Sequence, residues 1–175
     1  MIKESKPKSR KTLYNRIKEG VEPLLQANEV ELVYSRQRND LGQISRSKEA
    51  ADIFWSFMWN RIETYEMMYL MTLTRRNEVL GISYLGKGSK TGTVCDIQRA
   101  LGIAILQGAS SIIICHNHPS GETQPSDADL KLTKKLKQAV ELLDMQLHDH
   151  FILTAFHTGD VYSYRYYSFA EEGLI

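Results

Sequence analysis

The most constraining feature of the sequence is an apolar run that ends abruptly in polar residues, S-I-I-I-C-H-N-H-P over residues 111–119. The β-branched run predicts a buried strand. Because alternate residues of a strand share a face, we expect His116 and His118 to point the same way at the strand's exit, where sites in α/β proteins tend to lie. Two imidazoles on one side provide half of a metal site.

A turn-rich loop then leads to Ser126, which can cap a helix predicted over Asp127–Leu143. At roughly 100° per residue, Asp129 falls within the apolar stripe of this helix, whereas Asp127 falls on the opposite face, where it can pair with Lys131. An ionised carboxylate on the buried face is costly unless it is paired, hydrogen-bonded or bound to a metal. Asp129 is therefore predicted as the third ligand. The predicted stripe consists of Ala128, Leu132, Leu136, Ala139, Val140 and Leu143.

Two histidines and an aspartate form a set of nitrogen and oxygen donors that suits zinc. Three protein ligands leave the fourth tetrahedral position for water, which is the arrangement of catalytic zinc sites. Zinc lowers the pKa of such a water to ~7, so that a hydroxide nucleophile is available at cellular pH. A general base is the remaining requirement.

A structural interpretation of Asp129 is also open. Ser126 to Asp129 matches the S-x-x-[DE] pattern of a helix start, in which the carboxylate only accepts hydrogen bonds from its own cap. That pattern alone favours the structural role. The strand ending in His-x-His, the loop and the carboxylate on the buried face together favour the metal site.

A second His-x-His pattern occurs at residues 148–150. At the start of a predicted strand, His148 and His150 would alternate onto one face, so a site formed by His116, His118 and His150 is an alternative. We favour His150 or Asp149 as partners that orient the ligands. Cys115 is expected on the opposite face of its strand as a buried thiol.

The remaining pattern predicts an α+β (α/β) fold in which helices flank a mixed β-sheet. Ser47 is expected to cap the first helix of this domain, Asp96 to cap the second, and Gly108 to end the second. The predicted elements are a helix over Glu49–Arg61, a hairpin of Glu66–Thr74 and Val79–Leu85, the helix after Asp96, the strand Ser111–His116, the helix Asp127–Leu143, and strands over Leu147–Thr154 and Val161–Tyr164.

Residues 1–46 are predicted to form an N-terminal extension, and residues 47–175 the main domain. The extension is expected to contain a helix over Thr12–Leu25 and a strand over Val30–Tyr34, with a boundary in the polar stretch Arg36–Gln43. Residues 1–18 carry seven basic side chains and one acidic one, so they are a candidate contact for nucleic acid, although a solvated terminus is the commoner explanation.

The composition excludes several classes of protein. No apolar run approaches the ~18–20 residues that cross a bilayer, so we expect no membrane segment. The first residues lack the apolar stretch of a secretory signal, and two cysteines fit reduced thiols better than a disulfide framework. These features predict a cytoplasmic protein.

The string H-N-H-P-S-G-E-T-Q-P-S-D-A-D at residues 116–129 resembles the JAMM signature, H-x-H-x(7)-S-x-x-D, of JAB/MPN metalloproteases. Its continuation through Thr133 to D-H-F-I-L at residues 149–153 is similar to the RadC-like branch of that family, and the likeness covers roughly residues 47–175. The resemblance implies a JAB/MPN-like (cytidine-deaminase-like) core. It also implies Zn²⁺ held by His116, His118 and Asp129, with Ser126 polarising the substrate carbonyl.

The resemblance further implies an upstream glutamate that binds the catalytic water and transfers its proton. In the RadC-like pattern this glutamate opens a strand of the form E-x(6)-L, which Glu66 to Leu73 fits. Glu66 is therefore the expected base, although spacing alone does not separate it from Glu63 or Glu78. The implied activity is zinc-dependent hydrolysis of a peptide or isopeptide bond in a protein or peptide substrate.

Two alternatives to an active hydrolase stay open. One is a DNA-repair-associated or nucleic-acid-binding accessory protein that uses residues 1–18, with Arg36, Arg38 and Arg46 as further phosphate contacts. The other is a JAMM-like scaffold that keeps the metal site without turnover. The sequence leaves the oligomeric state open.

Overall fold

A computed structural model describes residues 41–88 and 95–175. In these ranges three helices flank a five-stranded sheet with the strand order β2-β1-β3-β4-β5. The elements, in chain order, are α1 (Ser47–Met58), β1 (Met67–Leu73), β2 (Val79–Lys87), α2 (Ile97–Leu106), β3 (Ser111–Asn117), α3 (Asp127–Glu141), β4 (Gln146–Thr158) and β5 (Val161–Ser168).

The sheet is mixed, as predicted. β1 pairs antiparallel with both β2 and β3, β3 pairs parallel with β4, and β4 pairs antiparallel with β5. The predicted α+β fold is thus confirmed. The helix and strand predicted over Thr12–Leu25 and Val30–Tyr34 lie outside the described residues. Within the described ranges, no helix has the length and apolar character needed to cross a membrane.

The sheet has a separate apolar core on each face. Ile113 and Cys115 of β3 pack in the core that includes Phe54 of α1. Ile112 and Ile114 pack in the core formed with α2 and α3. Because His116 continues the series of Ile112 and Ile114, it lies on the face of α2 and α3. Cys115 is confirmed as a buried thiol on the other face.

The helix ends agree with the sequence at α2 and differ at α1. Asp96 caps α2 by accepting a hydrogen bond from the amide of Arg99 at 3.0 Å, and Gly108, at φ +64°, follows the end of that helix. Ser47 is the first helical residue of α1 and not its cap. The reason is that the Glu49 carboxylate accepts from the amide of Arg46 at 3.2 Å, which makes residue 46 the cap.

The end of α1 also differs from the prediction, because the helix stops at Met58 and turns replace its predicted last turn. Ile62, four residues after Met58, lies buried in the same core. On the N-terminal side, Ile44 already lies in the core, and its amide donates to the carbonyl of Asn77 at 2.9 Å. Ile44, which precedes Ser47, therefore contributes to the core of this domain.

The buried stripe of α3 is rotated relative to the prediction. It consists of Asp129, Thr133, Leu136 and Val140. Ala128 and Leu143, which the pattern assigned to the stripe, are exposed. Asp129 thus belongs to the centre of the buried face, at 2% exposure. Two polar side chains on this face require polar partners inside the domain.

Candidate metal centre

The end of β3 brings two imidazoles together. His116 is fully buried at the end of the strand, and the amide of His118 donates to the carbonyl of Leu153 on β4 at 3.0 Å. The Nε2 atoms of the two histidines lie 3.0 Å apart. The predicted placement of His116 and His118 on one side of the strand exit is therefore present in the structure.

Asp129 of α3 points at both imidazoles. Its Oδ1 lies 3.3 Å from His116 Nε2, and its Oδ2 lies 3.6 Å from His118 Nε2. The same carboxylate accepts hydrogen bonds from the amide and the hydroxyl of Ser126, at 2.8 and 2.6 Å. The structural interpretation of the S-x-x-D pattern is thus present, and it does not oppose the metal interpretation. The cap orients the carboxylate that faces the histidines.

The partner of His118 fixes which of its nitrogens carries the hydrogen. Its Nδ1 lies 2.8 Å from the carbonyl oxygen of Glu122. A carbonyl only accepts, so we assign the hydrogen to Nδ1 on the basis of this contact. Nε2 of the neutral ring then presents a lone pair toward His116 and Asp129.

A buried chain of hydrogen bonds fixes His116 in the same way. The Thr133 hydroxyl donates to the Asp129 carbonyl at 2.7 Å, so it accepts from His150 Nδ1 at 2.7 Å. His150 Nε2 is therefore an acceptor, and His116 Nδ1 donates to it at 2.8 Å. His116 Nε2 is left with a lone pair that faces the cluster. Phe169 stacks on His150, with ring centroids 4.5 Å apart.

The donor set fits a divalent cation. Two lone pairs that face each other at 3.0 Å, beside a carboxylate, repel unless a positive charge lies between them. Tetrahedral zinc with bonds of ~2.0–2.1 Å places its ligands about 3.3 Å apart. The three donor separations of 3.0, 3.3 and 3.6 Å are close to that value.

The electrostatics of the cluster favour a neutral His116 and an ionised Asp129. For His118, burial lowers the pKa, but Asp129 and the Glu122 carbonyl outweigh burial and raise it overall. Burial lowers the pKa of His116 to about 4, with the charge of Asp129 acting in the opposite direction. Burial also opposes ionisation of Asp129, but the adjacent imidazoles of His118 and His116 and the donors of Ser126 hold its pKa well below the usual range. A neutral imidazole and an ionised carboxylate are the forms that bind a metal.

Glu66 lies at the open side of the cluster. Its Oε1 is 3.9 Å from His116 Nε2, and its side chain is 16% exposed against 2% for Asp129. Glu66, His116 and His118 also offer ligand atoms that all lie within 4.8 Å of one another, so a His/His/Glu set is an alternative to His/His/Asp. The shorter distances and deeper burial favour Asp129 as the ligand.

The structure separates Glu66 from the two other glutamates that spacing could not exclude. Glu63 accepts a hydrogen bond from Tyr162 at 3.3 Å, and Glu78 lies beside Thr74 in the hairpin turn. Gly88 packs on Glu66, since its amide donates to the Glu66 carbonyl at 2.9 Å. A Cβ atom at position 88 would lie 3.0 Å from Glu66 Oε2.

Asn117 is a residue that the sequence analysis missed. Asn117 lies between His116 and His118 in the sequence and is fully buried. Its side chain accepts from the amide of Met67 at 2.7 Å and donates to the carbonyls of Ile62 and Tyr65 at 2.6 and 2.9 Å. These bonds tie the segment that carries Glu66 to the end of β3. The sequence contained a signal for this role, because a polar residue at a strand position that faces the apolar core requires buried hydrogen-bond partners.

The second His-x-His pattern does not form one site. The pairing register shifts between Ile112 and Ile113, which oppose Leu147 and Asp149, so His148 is an extra residue in β4. His148 Nε2 instead lies 3.0 Å from Asn77 Oδ1. The prediction that His148 and His150 share a face is therefore wrong.

The structure also separates the two predicted orienting partners, His150 and Asp149. His150 contacts the ring nitrogen of His116 that points away from the cluster, so it is not placed as a third ligand. The Asp149 carboxylate accepts from the hydroxyl of Ser168 and the amide of Ala170 at 2.5 and 3.0 Å, and from the amide of His150. It joins β4 to the end of β5 and contacts none of the three predicted ligands.

Comparison with known proteins agrees with this geometry. The family model described as "RadC-like JAB domain" matches residues 44–174. A UPF0758 protein of Flavobacterium johnsoniae is 37% identical over 134 residues, which are 77% of this chain and 54% of the relative. A UPF0758 protein of Aromatoleum aromaticum is 37% identical over 133 residues, 71% of this chain and 56% of the relative. The chain thus spans about half the length of these curated relatives, and it belongs to the RadC-like JAB domain family.

Proposed function

We propose that the chain is a zinc-dependent hydrolase of JAMM type that cleaves a peptide or isopeptide bond. The observation that carries the proposal is the convergence of two imidazole lone pairs and a buried carboxylate at separations of 3.0 to 3.6 Å. Membership of the JAB family supports a metallohydrolase type of domain. The names of the curated relatives state no activity.

His116, His118 and Asp129 would hold the zinc ion. When bound, zinc supplies Lewis acidity that polarises a carbonyl and lowers the pKa of water. The contacts of His150 and Thr133 keep the His116 ring oriented, and Ser126 keeps the Asp129 carboxylate oriented.

Glu66 and Ser126 would carry out the chemical steps that belong to the protein. Glu66 borders the cluster from its open side, where it can take a proton from the attacking water and pass it to the leaving amine. The Ser126 hydroxyl, which donates to Asp129 Oδ2, can turn toward the substrate and donate to the developing oxyanion.

The test combines metal analysis with cleavage of a peptide library by the purified chain, read by mass spectrometry. We expect zinc in near-equal ratio to protein, and we expect Glu66→Gln to retain zinc while losing cleavage. Glu63→Gln is the matched control, because its carboxylate contacts Tyr162 and not the cluster. Cleavage that persists in Glu66→Gln, or a zinc-loaded chain that cleaves nothing, would contradict the proposal.

Several sequence-based predictions remain predictions. The nucleic-acid contact through residues 1–18, Arg36 and Arg38 lies outside the described residues. Arg46 pairs with Glu49 at 3.0 Å. The cytoplasmic location, the main-domain boundary at residue 47 and the scaffold without turnover also stay open to test.

A further inference from the structure

A groove on the α1 side of the β1–β2 hairpin combines aromatic rings with basic side chains, and we call it the aromatic–basic groove. Its space measures about 290 Å³. Lys87 borders the groove, because it is the cross-strand neighbour of Met67 and lies over the Tyr65 ring. The groove is lined by Phe57, Asn60, Arg61, Tyr65, Met67, Tyr69 and Tyr84.

The rings form one connected surface that remains open to solvent. Tyr69 contacts Phe57 and Tyr84, with ring centroids 6.1 and 5.2 Å apart. Phe57 is 42% exposed and Tyr84 is 41% exposed. Exposed aromatic side chains that pack against one another, beside charged groups, are typical of surfaces that bind a partner.

The charge of the groove is of one sign. Lys87 Nζ lies 3.8 Å from the centroid of the Tyr65 ring, and Arg61 donates to the Tyr65 hydroxyl at 3.2 Å. Neither cation pairs with a carboxylate within residues 41–88 and 95–175. On α1, by contrast, Lys48 pairs with Asp52. The two cations of the groove are thus held against an aromatic ring with their charge left for an incoming anion.

The groove and the candidate metal centre lie on opposite faces of the sheet but at the same end of it. Tyr65 and Lys87 line or border the groove, and the residues that follow them, Glu66 and Gly88, contact each other beside His116. Asn117 donates to the Tyr65 carbonyl, which fixes this junction. A chain segment that binds the groove therefore ends close to the residue that we propose as the base.

We propose that the aromatic–basic groove binds an extended, acidic peptide segment of the substrate. That the partner is a protein rests on the proposed function. Carboxylates of the segment pair with Arg61 and Lys87, and its apolar side chains pack on the exposed rings of Phe57 and Tyr84. Single-stranded nucleic acid, which also binds basic grooves with aromatic rings, is the competing occupant that the test must separate.

The test measures binding by fluorescence anisotropy on the full chain carrying Glu66→Gln, so that cleavage does not consume the probe. The probes are a fluorescein-labelled peptide of alternating glutamate and leucine, its lysine and leucine counterpart, and a labelled oligothymidine. We expect the acidic peptide to bind, with an affinity that falls as salt is raised. The double variant Arg61→Glu and Lys87→Glu is expected to weaken that binding at least about tenfold.

Arg165→Glu is the matched control, because Arg165 also lies over an aromatic ring, 4.0 Å from the Phe156 centroid, but on β5. Both groove side chains are exposed, so circular dichroism should show an unchanged fold for the double variant. Equal binding of both peptides, tighter binding of oligothymidine, or equal loss in the control would overturn the groove assignment. If the wild-type chain cleaves peptides but the groove fails one of these tests, the proposed function stands and only the groove assignment is refuted. If the groove binds the acidic peptide but the wild-type chain cleaves no peptide, only the proposed function is refuted.

Discussion

Asn117 Oδ1 lies 2.7 Å from the amide nitrogen of Met67, in a buried contact that joins the end of β3 to the start of β1. The same side chain also donates to the two carbonyls of the preceding turn. The position of Glu66 relative to His116 therefore depends on a residue that contacts neither side chain.

Replacing Asn117 with alanine should release the Glu66 segment. The change leaves the amide of Met67 and two carbonyls without their partner, and each unsatisfied group costs about 1–3 kcal/mol. We expect a lower free energy of unfolding in urea and faster hydrogen exchange at the Met67 amide. Amides in the β4–β5 pair should keep their protection until global unfolding. An unchanged exchange rate at Met67 would show that the contact does not hold this segment.

Asp129→Asn and Glu66→Gln distinguish the two ligand sets that share His116 and His118. A metal that binds only the folded chain stabilises it by about 2.7 kcal/mol at 100 times its Kd. We expect added zinc to raise the melting temperature of wild type and of Glu66→Gln, but not of Asp129→Asn. The opposite result would assign Glu66 as the third ligand. His148→Ala serves as the control that retains the shift, because His148 contacts Asn77 instead of the cluster.

Thr133→Val should disturb the orientation of His116 without touching it. Valine keeps the shape but leaves His150 Nδ1 without an acceptor, at a cost of about 1–3 kcal/mol. Loss of such an outer partner typically weakens metal affinity by about 10–100-fold. Zinc titration would measure the affinity, and nitrogen-15 spectra of the histidine rings would report the tautomer. Thr133→Ser should restore the zinc affinity and the tautomer of the histidine rings. Wild-type ring spectra in Thr133→Val would contradict the hydrogen-bond chain.

Gly88→Ala should act on catalysis more than on metal binding. The new methyl group meets Glu66 Cβ and Oε2 at 3.0 Å, so the carboxylate must move. A displacement of about 1 Å at a reacting group can cost roughly 100-fold in rate. We expect kcat for peptide cleavage to fall while zinc affinity is retained. Gly102→Ala is the control, because position 102 of α2 has open space and alanine favours a helix by roughly 0.5–1 kcal/mol.

Glu49 predicts a specific acid dependence of stability. Hydrogen bonds from the Ser45 amide, and then from the Arg46 and Ser45 side chains, lower its pKa from 4.5 to about 2 in the folded chain. The ionised form is thus favoured by folding, so its contribution is complete above pH 4.5 and is lost as the pH falls toward 2. The melting temperatures of wild type and Glu49→Gln should differ at neutral pH and converge over that interval. A difference that stays constant with pH would contradict the assignment.

The elements that the sequence predicted well are those whose signals are local. The apolar run of β3, the Asp96 cap and the Ser126 cap that begins α3 each depend on a few neighbouring residues, and each is present in the structure. The three predicted ligands come together for the same reason. Strand alternation places His116 on the face of α2 and α3, and the helical periodicity of α3 places Asp129 on its buried face.

The parts that could not be predicted depend on contacts between distant segments. The extra residue in β4 that separates His148 from His150 arises from the register between two strands, and no local pattern encodes that register. The roles of Asn117 and Thr133 likewise follow from partners that lie 50 and 17 residues away. A sequence shows that such polar groups need partners, but only the pairing of strands identifies them.

The alternation of β3 places residues 116 and 117 on opposite faces of the sheet, so the side chains at these two positions can be changed independently. The imidazole of His116 faces His118 on one side of the sheet, and the amide of Asn117 holds the neighbouring turn on the other. Donor atoms can therefore be exchanged at position 116, for instance to favour a softer ion, while the fastening at 117 stays as it is. The end of this strand is therefore a suitable starting point for the design of new metal sites.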